Sequence, residues 1–268
     1  MLVFPQLQTG ASAQYPIKRQ LSQRTIMSAM EDGSVIALAD TAARYLRWQI
    51  ALRDLSDQEL CALQSLFSAA QGNLLTFLFM DPAANLLAWS EDFSKSAWQT
   101  TGLTFDSEIA DPMGGTRATR VHNASGIDLT VAQQTQIPGL SRTCLSVYLR
   151  ANTPVSTSLI RTCGGQSLTL PVAVTSEWQR YSLSGNLLAV SDLSRFAIAV
   201  PIGTSFDIFG PQLDAQAAPS PYQLSTSRSG VYESARFDMK QFDSVATGPN
   251  RNTCVVYVRC SLPAGESL

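Results

Sequence analysis

The chain has 268 residues, of which 45% are apolar and 15% charged, and its formal net charge is −2. This composition excludes intrinsic disorder, supports one large or two ordinary domains, and provides no general basic field for nucleic acid. No run approaches the roughly 18–20 apolar residues of a membrane-spanning helix. The first residues, MLVFPQLQTG, lack the basic start and apolar stretch of a secretory signal.

The first 50 residues contain short alternating runs, with turn signals at Thr9-Gly10 and Asp32-Gly33. The segment RYLRWQIAL, which starts at Arg44, alternates between two kinds of side chain. Such a period of two predicts a half-buried strand. Its apolar face consists of Leu46, Trp48, Ile50 and Leu52.

One helix is predicted at about residues 56–71, in SDQELCALQSLFSAAQG. Ser56 is the expected N-cap and Glu59 follows three residues later, which is the pattern of a capping box. Leucines and Phe67 recur at helical spacing along one stripe, and Gly72 is a natural stop. The following LLTFLFMDP is typical of a buried strand that ends at a turn.

The pattern changes from Asn85 to about Ser227, where strand-like runs recur every 10 to 15 residues between Gly, Pro, Ser and Asn. Eight such runs without a strong helix predict an antiparallel β-sandwich of the jelly-roll kind. The runs are RATRVH, LTVAQQT, TCLSVYLRA, STSLIRTC, SLTLPVAV, WQRYSLSG, FAIAVPI and FDIFGPQL.

The last 40 residues contain two further strand candidates joined by the turn TGPN. Two strands cannot bury a core by themselves, and the first 84 residues also make a thin domain. We therefore predict a mainly β protein in which residues 1–84 and 228–268 form one split β-sandwich or barrel with one α-helix. Residues 85–227 would be an inserted antiparallel β-sandwich, since insertion is tolerated at exposed loop tips.

The inserted segment resembles a known family on four motifs in the right order. Its opening NLLAWSEDFSKSAW, followed by DPMGGTRATRV, EWQRYSL and FDIFGPQLDAQAAPSPYQLST, resembles the carbohydrate-binding-module-like jelly rolls of phage tail and fibre proteins. The sequence departs from that pattern at Pro219-Ser220-Pro221, where the family has a Thr-Ser pair. That departure affects the closing turn.

The split segment is similar to the distal tail proteins of long-tailed phages and gene-transfer particles. FPQLQTGASAQYP, RWQIALRDLSDQELCALQSLFSAAQG and FLFMDP resemble their N-terminal half, and ARFDMKQFDSVATGPNRNTCVVYVRCSL resembles their returning hairpin. The resemblance implies a homo-oligomeric ring, usually a hexamer, between the tail tube and the baseplate hub. It implies a virion protein assembled in the host cytoplasm, with no membrane insertion and no nucleic-acid partner.

Sugar binding, which is frequent in such peripheral domains, has six candidate residues here. Trp98 offers an aromatic face to a sugar ring, as Trp178 and Tyr222 also do, and core packing is the alternative for all three. Tyr148, Arg150 and Arg161 are expected off the apolar faces of their strands. For those three the alternative is an ordinary solvated face.

A structural calcium ion is the one cofactor that the sequence leaves open. Glu91, Asp207 and Asp214 supply the carboxylate oxygens that calcium prefers, although no compact D-x-D-x-D loop is present. The five cysteines are scattered and odd in number, which favours buried, reduced thiols over disulfides or a zinc site. They are Cys61, Cys144, Cys163, Cys254 and Cys260.

Three arginines next to the split unit's apolar strand are candidates for a ring interface. They are Arg44, Arg47 and Arg53, and the alternative is solvation or local pairing with Asp54 and Asp57.

Catalysis is not expected from this sequence. The single histidine, His122, has no G-x-S-x-G elbow beside it, and no phosphate-binding loop or carboxylate pair stands out. The sequence thus favours a structural tail component that carries glycan-binding jelly rolls. A stand-alone carbohydrate-binding adhesin or tail-fibre module is the alternative, and a glycan-degrading enzyme is the third.

Overall fold

The computed structural model describes residues 1–262, without the side chains of Thr41 and Ala42. The chain forms two compact units. The split unit contains residues 1–8, 12–79 and the chain from Tyr232 onward, and the insert unit contains residues 9–11 and 80–231. Strands dominate and pair antiparallel, which confirms the predicted mainly β class. The described part of the chain contains no helix with the length and apolar character of a membrane span.

Sixteen strands and one helix make up the described fold. The first elements are β1 (Ile17–Ala29), β2 (Val35–Leu55), α1 (Asp57–Ala69) and β3 (Phe77–Met80). Then follow β4 (Trp98–Gln99), β5 (Thr104–Ile109), β6 (Ala118–His122), β7 (Leu129–Thr135), β8 (Thr143–Arg150), β9 (Val155–Cys163), β10 (Gln166–Val174), β11 (Gln179–Gly185), β12 (Ser194–Val200) and β13 (Ser205–Asp214). The last are β14 (Val231–Phe237), β15 (Ser244–Gly248) and β16 (Arg251–Ser261).

The split unit is one six-stranded sheet in the order β1-β2-β16-β14-β3, with β15 paired to β16. The predicted alternation in β2 is confirmed, because its apolar residues from Leu46 to Leu52 are buried. Trp48 packs against Phe79 and Tyr232, with ring centroids 5.0 and 4.7 Å away. These aromatic contacts fix the core on one side of the sheet.

Helix α1 covers one part of that core. The Ser56 side chain accepts a hydrogen bond from the Glu59 N–H, and the Glu59 carboxylate accepts one from the Ser56 N–H, so the predicted capping box is confirmed. Leu63 and Leu66 are the buried members of its stripe. Gly72 follows the helix with φ +68°, a conformation that a glycine adopts without strain.

Strands β1 and β2 extend well beyond the sheet as a two-stranded hairpin. Strand β16 pairs with β2 between Tyr45 and Leu55, whereas residues 24–40 pair only with each other among the described strands. We call residues 24–40 the arm. The expectation of short runs in this region is wrong, since the strands are 13 and 21 residues long.

The insert unit is a sandwich of two five-stranded sheets, in the orders β10-β9-β12-β7-β4 and β11-β8-β13-β6-β5. We call them the first and second sheets. All eight strands that the sequence predicts are present. Their inward residues, such as Leu149, Leu159 and Phe206, form a common core. Strands β4 and β5 were not predicted, because β4 has two residues and β5 is polar.

The two ends of the insert unit lie side by side. The Asp81 N–H donates to the Gly230 carbonyl, and the Gly230 N–H donates to the Asn85 carbonyl, both at 2.8 Å. Asn85 also bridges to β13, because its Oδ1 accepts from the Leu213 N–H at 3.0 Å. Adjacent ends of this kind are the geometry that an inserted domain needs.

The five cysteines are free thiols. Four are buried as expected, but Cys61 lies on the exposed side of α1, so the prediction of burial is wrong there. Burial raises the pKa of Cys144 and of Cys254 to about 11. Those two thiols therefore stay protonated and unreactive at neutral pH.

Candidate binding face and assembly surface

The outward side of the second sheet carries a connected set of polar and aromatic side chains. Strand β8 directs Leu145, Val147 and Leu149 into the core, so the alternate residues point out of the sandwich. Neighbouring strands add outward residues in register. We call this set the polar face, and it consists of Asp106, Arg120, His122, Tyr148, Arg150, Trp178, Arg180 and Asp207.

A buried carboxylate holds the centre of the polar face. Asp207 is 1% exposed, and its oxygens accept from Arg120 Nε at 2.6 Å and from Arg150 Nη2 at 2.8 Å. The hydrogen bond to Asp207 raises the pKa of Arg120, against the opposing effect of burial. Since both guanidinium groups remain about a quarter exposed, the carboxylate fixes their planes while edges stay open to solvent.

Two arginines of the polar face stack on aromatic rings. The Arg150 guanidinium lies 4.7 Å from the Trp178 ring centre, and that of Arg180 lies 5.3 Å from the Tyr148 ring centre. Tyr148 and Trp178 are half-buried, so part of each ring is accessible. Flat rings beside oriented N–H donors suit a sugar, which has apolar ring faces and hydroxyl acceptors.

His122 lies at the edge of this face and binds a carboxylate rather than a nucleophile. Its Nε2 is 2.7 Å from Asp106 Oδ2, and that carboxylate is largely exposed. The pair joins β5 to β6 and becomes an ion pair when the ring is protonated.

Arg161 requires a correction, because it is 2% exposed and lies inside the sandwich. It occupies the same phase of β9 as Leu159 and therefore faces the core. Burial lowers its pKa to about 10, so it remains a cation at neutral pH. Its guanidinium donates to six oxygens, those of Pro138, Gly139, Ser141, Thr143, Gly185 and Ser194. Arg161 thus links separate segments of the insert unit by hydrogen bonds, and its buried side chain is not available to a ligand.

Trp98 also requires a correction, because it packs in the core instead of offering a ring to sugar. It is buried, lies 5.1 Å from the Phe93 ring centre, and donates from Nε1 to the Trp89 carbonyl at 2.9 Å. Tyr222 packs in the same way against Phe209 at 5.0 Å. The packing alternative therefore describes Trp98 and Tyr222, whereas Trp178 belongs to the polar face.

The structure does not bring the three calcium candidates together. Asp207 binds Arg120 and Arg150, as above. Asp214 accepts from Gln212 and Ser220, and Glu91 accepts from Tyr222 and Arg117. Within residues 1–262, no cluster of three His, Cys, Asp or Glu side chains could hold a metal ion. Each carboxylate is engaged by donors of the protein.

The three ring-interface candidates have different surroundings. Arg47 has both of its partners within the split unit. Its Nε lies 2.6 Å from Asp238 Oδ2, and its guanidinium lies 5.2 Å from the Tyr257 ring centre. Arg44 is half-buried, and Arg53 is exposed.

The acidic residues near Arg53 also have other partners. Asp54 pairs with Arg251 at 2.6 Å, and Asp57 accepts from Asn252 at 2.8 Å. Of the two alternatives, local pairing and solvation, the exposed Arg53 therefore fits solvation.

The arm is a surface that the sequence analysis missed. One face carries Met27 and Val35, and the other carries Ile26, Ile36 and Leu38. All five are exposed, with Leu38 at 59%. The signal was present as a run of aliphatic residues on both sides of Asp32-Gly33, but it has no period of two. A strand that is apolar on both faces gives no alternation to detect.

Comparisons with known proteins add similarities of structure at low scores. No protein-family model and no curated protein matches the chain. The chain is similar to the enzymatically active domain of tailspike protein 4 of bacteriophage CBA120, at 15% identity and a TM-score of 0.40. The similarity covers 50% of this chain and 22% of that chain.

Two carbohydrate-binding modules are similar at comparable scores. TmCBM61 in complex with β-1,4-galactotriose shows 14% identity and a TM-score of 0.37, with 49% of this chain and 98% of that chain covered. The CBM22-1 xylan-binding domain of Paenibacillus barcinonensis Xyn10C shows 11% identity and a TM-score of 0.41, with 52% of this chain and 98% of that chain covered. These values are too low to decide what this chain binds.

Proposed function

We propose that the chain is a self-assembling structural component of a phage tail tip, of the distal-tail type. Its split unit forms an oligomeric ring between the tail tube and the baseplate hub, and each subunit of the ring also carries an insert unit. The observation that carries the proposal is the arm, whose two faces are both apolar and both exposed. The resemblance of the split segment to distal tail proteins supports the choice of particle.

An isolated two-stranded hairpin is only marginally stable in water. The arm nevertheless has regular pairing from Arg24↔Asp40 to Ala29↔Val35, closed by a turn in which Asp32 accepts from the Ser34 N–H at 2.9 Å. Exposed apolar residues concentrated on one element mark a contact surface. Identical copies that contact one another head to tail close into a ring when the rotation allows it.

Sedimentation of the full chain and two aspartate variants tests this proposal. Leu38→Asp places a charge on the arm, and Val190→Asp places one at a fully exposed position of the insert unit. We expect wild type and Val190→Asp to assemble, and Leu38→Asp to sediment as a monomer with an unchanged circular dichroism spectrum. Equal assembly of all three proteins would contradict the role of the arm.

Glycan binding by the polar face is the second proposed function. It is favoured by the half-exposed Trp178 and Tyr148 rings, held by Arg150 and Arg180. A ring would display many copies of this face, and linked sites raise avidity without new contacts. The polar face is also what a stand-alone adhesin or tail-fibre module would use, and we assign it no catalytic role.

A glycan array probed with the full chain tests the second function. Trp178→Ala should abolish binding to any glycan that the wild type retains, because it removes a stacking ring. Thr169→Ala, on the exposed side of the first sheet, is the matched control and should bind as wild type does. Binding that survives Trp178→Ala would place the ligand elsewhere.

A further inference from the structure

The split unit contains an apolar groove beside β15 and β16. This groove has a cavity volume of about 410 Å³ and is lined by Met239, Lys240, Val245, Val255 and Tyr257, among others. Val245 is well exposed, and Val255 is more than a third exposed. The split unit therefore exposes two apolar surfaces, a protruding arm and a recess.

The arm cannot reach the groove of its own chain. Tyr257 of the groove pairs across the sheet with Gln49 of β2, and β2 runs from there to the arm past a shift in the β1–β2 register between Gln23 and Arg24. At the rise of an extended strand, Leu38 lies roughly 36 Å along β2 from Gln49. Because the same strand forms the sheet beside the groove and then leads away into the arm, the chain's own arm does not fill the recess, and the arm of another copy is the candidate occupant.

The charges of the two surfaces are complementary. Within the arm, Arg24 and Asp40 pair with each other, which leaves Glu31 and Asp32 as the unbalanced charges of its tip. Around the groove and on the adjoining side of the sheet, cations outnumber acids. The cations are Lys18, Arg47, Lys240 and Arg259, and the acids are Asp238 and Asp243.

We infer that the arm of one copy docks into the groove of the next copy, with the face of Ile26, Ile36 and Leu38 against Val245 and Val255. The inference rests on the proposed ring and names the two surfaces that join its subunits. The contact is heterologous, because the arm and groove are different patches of the same chain. The acidic tip then lies on the basic side of the groove and fixes the direction of docking.

Cysteine cross-linking between two singly labelled chains tests the contact. One full-length chain carries Ile36→Cys and the other carries Val245→Cys, both with Cys61→Ser to remove the exposed native thiol. Mixing and mild oxidation should give a disulfide-linked heterodimer. A chain with both substitutions should give a ladder of covalent multimers. Val190→Cys in place of Val245→Cys is the matched control and should give neither product.

The outcomes separate this inference from the proposed ring. If the singly labelled chains assemble as wild type does but yield no more cross-linked product than the control, the arm–groove contact is wrong and the ring stands. If a double-cysteine chain links only within itself, the contact is intramolecular and the inference is overturned. If wild type never assembles, the ring and the contact both fail.

Discussion

The insert unit and the arm are both built from antiparallel strands, but the insert unit buries its large apolar residues whereas the arm exposes them. In the insert unit each sheet directs one apolar face into a shared core, and the outward side is polar. In the arm, both faces carry large aliphatic side chains and both are exposed. The insert unit thus covers its own apolar residues within one chain, whereas the arm leaves apolar residues uncovered on both of its faces.

The difference places stability and assembly in different parts of the molecule. Substitutions in the insert core should change the free energy of unfolding of a single chain. Substitutions in the arm should leave that free energy nearly unchanged and should alter association instead.

Arg161→Met should give the largest loss of stability. The substitution removes a buried cation, and the carbonyls of Ser141 and Gly185 lose the N–H donors of Arg161, at about 1–3 kcal/mol for each acceptor left unsatisfied. We expect a loss of more than about 4 kcal/mol by urea unfolding, with faster hydrogen exchange in β8 and β9. Arg161→Lys keeps a charge and three donors and should lose less. A Met variant as stable as wild type would show that this network contributes nothing.

Matched leucine truncations compare the core with the arm directly. Leu149 is 0% exposed and Leu38 is 59% exposed. We expect Leu149→Ala to lose about 3 kcal/mol of unfolding free energy and Leu38→Ala to stay within about 0.5 kcal/mol, both in dilute protein. A large loss from Leu38→Ala in a monomer would mean that the arm packs within its own chain.

Ser56→Ala should cost the split unit about 1 kcal/mol, because it removes the N-cap of α1. Thermal melting of this variant beside Gln58→Ala, an exposed position in the first turn, measures the effect of the cap alone. Identical melting temperatures for the two variants would contradict it.

The loop at Asp111 should make the insert unit less stable in acid. Although burial opposes ionisation, N–H groups of Gly115, Arg117 and Met113 donate to this carboxylate and hold its pKa below the ordinary 3.8. Its stabilising effect is therefore complete above pH 3.8 and declines as pH falls through the lower folded-state pKa. The stability gap between wild type and Asp111→Asn should narrow over that range. A gap that is independent of pH would contradict this assignment.

Sequence reasoning predicted the elements that carry a local signal. The capping box at Ser56 and Glu59 predicted α1, and strand-like runs between Gly, Pro, Ser and Asn predicted the eight sandwich strands. It failed where the signal is non-local. Arg161 was expected off the apolar face of its strand, yet it is buried and donates to carbonyls that lie 20 and 23 residues away along the chain. The arm gave no alternation, because neither of its faces is buried in a single chain.

Part of the polar face was predictable for the same reason. Tyr148 and Arg150 lie in the outward phase of a clean strand, so their orientation follows from β8 alone. Their connection to Arg120 and Asp207 depends on the order of β8, β13 and β6 in the sheet. No single strand contains that information.

The most direct test of the central claim is the particle mass of the purified full chain over a range of concentrations, with negative-stain images of the same sample. The account predicts closed rings whose mass is a small whole multiple of the 29.0 kDa chain. A protein that stays monomeric at every concentration, with the arm intact, would contradict it.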